Sequence, residues 1–256
     1  MKKSFESRSD DGLGWRAKIG VMVPATNTIA QPEYEALRPA WVTNHVARMA
    51  PANRGTDLES YRRSLQRGSQ HVKDAMDLVL PCEPDALLLG HSIDTFTDTV
   101  AEAEAMREDL TAHAKGVPVM LPSLAFLAAL KAMGVKKRIA ALTPYREPGD
   151  EKVLKFFTAA GYDVVKLIGL KCQTPLSIAA QREEDIVAAL KILAAEGVEA
   201  IIEPGTNMPS GHIAADAERW LGVPVIACNT VTYWHTLRSL GINDRTTGFG
   251  PLMEHY

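Results

Sequence analysis

Short continuous apolar runs alternate along this chain with stretches whose apolar residues recur at helical spacing. The runs fall at residues 19–23, 86–89, 117–121, 139–142, 164–168, 200–202 and 223–227. Strands covered on both faces read this way, because neither face meets water. Between them, Leu58, Tyr61, Leu65 and Val72 mark one face of a long helix, and Ile186, Val187, Leu190 and Leu193 mark another. Gly116, Gly134, Gly161, Gly197 and Gly222 each follow a helical run and precede a strand, where glycine accepts the left-handed backbone that ends a helix. The pattern predicts an α/β fold of parallel sheets flanked by helices.

The punctuation repeats. Pro24 and Pro144 close strands, Gly90 and Gly205 follow strands, and Pro118 and Pro224 open them, in the same order in each half. Two pseudo-symmetric lobes follow. We expect a flexible tail over 1–13, a first lobe from 14–115 plus 221–256, and a second from 116–220. The default ligand site is the cleft between the lobes. In such sheets the crevice forms outside the carboxyl ends of the strands.

Composition narrows the classes. Charged residues make up 23% and the net charge is −3, which argues against a general nucleic-acid or anionic-membrane surface. The start is polar and lacks a signal-peptide core, and no apolar run approaches the ~20 residues of a membrane span. Three cysteines without a CxxC pair suggest neither a disulfide framework nor a zinc cage, and fit a reducing, cytoplasmic setting. No GxGxxG or GxxxxGK[ST] motif supports a nucleotide, and no HxxxH or HxH spacing supports a metal. The expectation is therefore a protein without a cofactor or metal.

The polar tips after the strands carry the chemistry. The first is Gly90-His91-Ser92, and the second is Glu203-Pro204-Gly205-Thr206-Asn207. With Ile19-Gly20-Val21-Met22-Val23-Pro24-Ala25-Thr26-Asn27-Thr28, Leu142-Thr143-Pro144-Tyr145 and Asn207-Met208-Pro209-Ser210, they resemble the aspartate/glutamate racemase superfamily, in its maleate cis-trans isomerase and arylmalonate decarboxylase branch. The likeness spans about residues 16 to 241. It implies a cofactor-independent isomerase or lyase that takes a small carboxylate through an enolate-like intermediate. It also implies a cysteine at each facing tip. Here those positions align with His91 and Gly205, so both thiols are replaced. Asn27, Tyr145 and Asn207 match the residues that hold substrate carboxylate oxygens, with Thr26, Thr28, Thr206 and Gly205 beside them.

His91 is the first candidate for moving a proton, since an imidazole titrates near ~6.5. The alternative is a structural histidine bonded to a carbonyl. Asp94 either orients that ring or caps a helix beginning near Thr95. Glu203, at the end of an apolar strand, is either a general base with a raised pKa or an anchor for its loop. Cys228 closes another strand and is either a cleft thiol or a small buried hydrophobe. Gly205 makes room for close approach. Cys82 and Cys172 read as structural, His212 as a side chain that could hang over the cleft, and His235 as part of a helix over 231–240. Asn27 and Thr28 could equally serve as helix caps. Two further functions stay open: hydrolysis of a small amide or ester, with His91 activating water, and carboxylate binding without turnover. Relatives of this kind often pair, so a homodimer or higher homo-oligomer is expected.

Overall fold

The computed structural model describes residues 11–50 and 70–256. It contains two four-stranded parallel sheets. The first is built from β1 (Ala17–Pro24), β2 (Val42–Met49), β3 (Ala86–Leu89) and β4 (Val119–Met120), in the order β2-β1-β3-β4. The second uses β5 (Arg138–Thr143), β6 (Asp163–Gly169), β7 (Ala200–Glu203) and β8 (Val225–Ala227), in the order β6-β5-β7-β8. Each sheet thus starts on an inner strand, moves to one edge, returns past the start and ends on the other edge. The identical order makes the lobes pseudo-equivalent and places β3 and β7, the strands bearing the two tips, in matching positions.

The helices are α1 (Ala30–Leu37), α2 (described over 70–79), α3 (Val100–His113), α4 (Pro122–Ala132), α5 (Gly149–Ala159), α6 (Pro175–Ala179), α7 (Glu183–Ala194), α8 (Gly211–Leu221), α9 (Cys228–Ser239) and α10 (Pro251–His255). All five glycines expected to end helices have positive φ, between 65° and 92°. Gly222 is the left-handed cap of α8 and donates its N–H to Glu218 O.

Sheet membership corrects the expected lobe boundaries. β4 pairs with β3, so residues 119–120 belong to the first sheet rather than to a lobe starting at 116. β8 pairs with β7, so residues 225–227 belong to the second sheet rather than to a segment returned to the first lobe at 221. The chain crosses one strand later each time, because the strand after α3 and the strand after α8 each complete the sheet they left. Only then does α9 return to pack on α1, α4 and β3. Residues 1–10 of the expected tail, and Leu58, Tyr61 and Leu65 of the expected long helix, lie outside the described residues. Val72 of that face is buried.

One apolar core runs through both lobes, joining Ile19, Val21 and Leu88 of the first sheet with Ile139, Ala141 and Ile202 of the second. Phe96, Phe126, Phe156 and Phe157 close the seam with ring centroids 5.4–6.4 Å apart. A smaller core lies on the other face of the second sheet, against α7 and α8. Among the described residues, no helix is long and apolar enough to cross a membrane.

Candidate active site

The tips meet at the carboxyl ends of the strands. β3 ends at Leu89, and Gly90 N–H is tied to Met22 O of β1 at 2.7 Å, which fixes the path of the first tip. His91 follows, half-buried, with Nδ1 3.5 Å from Asp94 Oδ2. Asp94 lies in a single 3-10 turn, Ile93–Thr95, and the next α-helix is capped by Thr99. The carboxylate is therefore placed to orient the imidazole rather than to cap α3.

Ser92 faces away from His91 and toward the other lobe. Its Oγ lies 2.8 Å from Tyr145 Oη. Tyr145 donates to Pro204 O, at the start of the second tip, at 2.9 Å. A phenol has one proton, so Ser92 must be the donor in its bond to Tyr145. The Cys228 side chain also bonds Ser92. A serine → phenol → carbonyl chain thus joins the first tip, the loop after β5 and the second tip. Such chains polarise each link. Burial holds the Tyr145 phenol well above its ordinary value, so it stays a neutral donor.

The expected carboxylate-binding amides have other duties. Asn27 Oδ1 accepts Ile29 N–H at 3.0 Å and Ala30 N–H at 2.9 Å, opening α1. Its Nδ2 reaches Thr206 O at 3.2 Å and Thr206 Oγ1 at 3.4 Å across the seam. Asn207 Oδ1 accepts Thr28 N–H at 2.9 Å, and its Nδ2 donates to Pro175 O at 2.7 Å. Both amides therefore stitch the second tip in place. Thr28 contributes its backbone, with the residue itself exposed. Thr26 is half-buried beside it, and Gly205 and Thr206 are buried.

Three further residues hold the same loop, and sequence reasoning did not single them out for it. Asn229 Nδ2 donates to Thr206 O at 3.0 Å and to Glu33 Oε2 at 2.7 Å. Glu33 Oε1 accepts the first amide of α8, Gly211 N–H, at 2.9 Å. Burial raises the Glu33 pKa, opposed by those two hydrogen bonds. Ser210 donates to Glu203. Glu33 and Asn229 are far apart in sequence, and only the return of α9 onto α1 brings them together. The one available signal was Asn229 following a strand, as Asn27 does.

Glu203 is 1% exposed. It accepts Gly205 N–H at 2.6 Å and the Ser210 hydroxyl, so it anchors its loop as one of its two expected readings required. Burial pushes its pKa up to about 8, against the lowering effect of these donors. Cys228 starts α9 and has no solvent exposure. Burial, with the Glu203 charge second, pushes its thiol well above its ordinary value, so it sits as a neutral S–H. His212 does not hang over the tips. Its Nδ1 lies 3.0 Å from Gly248 O, and its ring packs on Phe249 at 4.3 Å. His235 lies within α9, half-buried, and Cys82 and Cys172 are free thiols. Among the described residues, no group of three or more His, Cys, Asp or Glu could hold a metal ion.

The fold and the facing tips define an aspartate/glutamate racemase-like α/β protein. The arylmalonate decarboxylase family model matches residues 19–253, and the chain belongs to that family. Maleate isomerase from Alcaligenes faecalis is 26% identical over 250 residues, covering 93% of this chain and 96% of that relative. Maleate isomerase from Nocardia farcinica is 25% identical over 249 residues, covering 93% and 95%. Among solved structures, a cysteine-to-serine variant of Nocardia farcinica maleate cis-trans isomerase with a covalently bound succinylcysteine intermediate superimposes with a TM-score of 0.83 at 22% identity, covering 94% of this chain and 99% of that one. Unliganded arylmalonate decarboxylase gives 0.72 at 20% identity, covering 93% and 98%.

Proposed function

We propose that this chain is an isomerase or lyase that carries a small carboxylate through an enolate-like intermediate, with His91 moving the proton at the first tip. The carrying observation is the Ser92–Tyr145–Pro204 chain beside His91, where both tips converge. An enolate places negative charge on oxygen, and the two hydroxyls are neutral donors already aligned side by side. Turning the Tyr145 O–H from Pro204 O toward a substrate oxygen requires no new group. Donors fixed in a water-poor seam stabilise developing charge strongly. Asn27, Thr26, Thr28, Gly205, Thr206 and Asn207 shape the floor on which the carboxylate rests. The Asp94 carboxylate at 3.5 Å favours the ring tautomer that leaves the far nitrogen able to take a proton. The relatives' names make maleate and arylmalonates the first substrates to try. Cys228 is a candidate thiol only if the seam opens, given its complete burial.

In deuterium oxide, turnover should place deuterium on the carbon next to the carboxylate. His91→Ala should lower kcat by ~10²-fold or more while retaining ligand binding. Oxygen-18 uptake from water without carbon-bound deuterium would replace this reading with hydrolysis. Carboxylate binding without turnover across a broad panel would leave a binding protein. Turnover abolished by thiol alkylation, with protection by substrate, would transfer the leading role to Cys228. We also propose a cytoplasmic homodimer, checked by light scattering on the full chain.

A further inference from the structure

The second tip has no side chain at Gly205, and the structure gives the physical reason. A Cβ there would lie 2.6 Å from Glu203 Oε1 and 2.7 Å from Pro144 Cγ. A side chain at position 205 would require the Glu203 carboxyl and the Pro144 ring to shift, because they already fill the space it would enter. The carboxyl in that space is also unusually well served. Gly205 N–H reaches Oε1 at 2.6 Å, the Ser210 hydroxyl reaches Oε2, and Cys228 N–H supplies a third donor. Ser210 is the residue preceding α8, and Cys228 is the first residue of α9. A buried acid with this surrounding is costly to ionise but is received by three donors once it does.

We propose that the Glu203 carboxyl is the proton donor of the second strand tip, in place of the side chain that Gly205 lacks. The proposal rests on the enolate reading above. In the step assigned to it, an arylmalonate loses carbon dioxide and the C–C bond pair becomes the enolate; that pair then forms the new C–H bond, the Glu203 O–H bond breaks, and its pair remains on the carboxylate. Gly205 N–H, Cys228 N–H and Ser210 then hold that charge until water returns the proton. A raised pKa of about 8 keeps the acid form dominant near neutrality, which a donor requires. The titratable groups facing it are Glu33 of α1, Cys228 of α9 and Tyr145 after β5. Of these, Glu33 opposes the Glu203 charge by repulsion, which also favours the protonated form.

The test compares wild type, Glu203→Gln and Glu203→Asp on arylmalonates in deuterium oxide. Glu203→Gln keeps the shape and removes the acid. Its kcat should fall by ~10²-fold with KM within about 3-fold, and Glu203→Asp should recover part of the loss. Wild-type kcat should fall above pH about 8, and that fall should be absent from the residual activity of Glu203→Gln. A purely structural anchor would alter folding or KM without moving the pH profile. A Glu203→Gln enzyme with kcat within 3-fold and an unchanged pH profile overturns the proposal and leaves the enolate reading intact. Should Glu203→Gln fail to fold, a folded Glu203→Ala that keeps the wild-type kcat and profile overturns it equally. If wild type neither converts nor exchanges any substrate in the panel, both fall together.

Discussion

Asn27 shows what a single residue does here that its neighbours in sequence do not disclose. Its carbonyl oxygen serves two orphan amides of α1, and its amide nitrogen crosses the seam to Thr206. Asn27→Ala should cost about 2 kcal/mol in a urea melt, from the lost cap and the lost bond across the seam to Thr206. Thr28→Ala, at an exposed neighbour, should stay within about 0.5 kcal/mol. Equal effects would mean that the amide is a spare donor rather than a built-in stitch. The placement of Asn27 after a strand and before a helix was legible from sequence, and so was its capacity to cap. The Thr206 bond was not, because it depends on where a loop 179 residues away comes to rest. Glu203 gives a second test at this scale. Its pKa is about 8 when folded, against 4.5 ordinarily, so the folded state keeps a proton that the unfolded chain gives up. The stability due to that proton is fully present below pH about 4.5, declines as pH rises through the window up to about 8, and is flat above it. The slope is about 1.4 kcal/mol per pH unit for one proton. Comparing melts of wild type and Glu203→Gln across that window should show the slope only in wild type.

At the scale of elements, strands were legible where a continuous apolar run marks them and illegible where none does. β1, β3, β5 and β7 are nearly all buried, and each coincides with a continuous apolar run. β2, Val-Thr-Asn-His-Val-Ala-Arg-Met, went unseen because it lies at a sheet edge and half of it is polar. Its partner in register is β1 along the full eight residues, and that pairing, not apolarity, makes it a strand. The α9 helix begins at Cys228, three residues before the expected start, because it opens directly from β8 with no intervening loop. It docks through aromatic rings: Tyr233 stacks on Tyr34 of α1 at 5.5 Å, and Tyr233 Oη donates to Asn44 Oδ1 of β2 at 2.9 Å. Tyr34 Oη is buried with no hydrogen-bond partner among the described residues. Tyr34→Phe should therefore leave thermal stability unchanged or raise it by about 1 kcal/mol, since it removes an unsatisfied hydroxyl and keeps the ring. Tyr233→Phe should lose about 1 kcal/mol, because it strands the Asn44 carbonyl. A scanning-calorimetry pair with the opposite order would refute this account of how α9 is held.

For the whole molecule, the repeated order of strand punctuation disclosed two similar lobes, and the strand orders β2-β1-β3-β4 and β6-β5-β7-β8 bear this out. Where one lobe yields to the next was not legible. A two-residue strand such as β4 has no character of its own, and only its pairing with β3 assigns it. That assignment matters for how the lobes hold together. The chain crosses from the first sheet to the second after α4 and crosses back into α9, so the first lobe is completed by residues that follow the whole second sheet. The main core is continuous across the seam, with Phe96 and Phe126 on one side and Phe156 and Phe157 on the other. Two independent cores would melt separately, whereas one shared core loses both lobes at once. The protein should unfold in a single transition, with tryptophan fluorescence, dominated by residues placed in both halves, coinciding with far-ultraviolet circular dichroism. Phe157→Ala removes a fully buried ring from the seam and should cost ~3–5 kcal/mol, shifting both signals together. Two separated transitions in that variant would mean that the lobes fold independently. The paired tips would then be held only by the polar bonds of Asn27, Asn229, Tyr145 and Glu33, and substrate could open the site by hinge motion. Coincident transitions would mean that the tips face each other across a seam fixed before substrate arrives, which is the preorganisation that donors such as Ser92 and Tyr145 need to act on a developing charge.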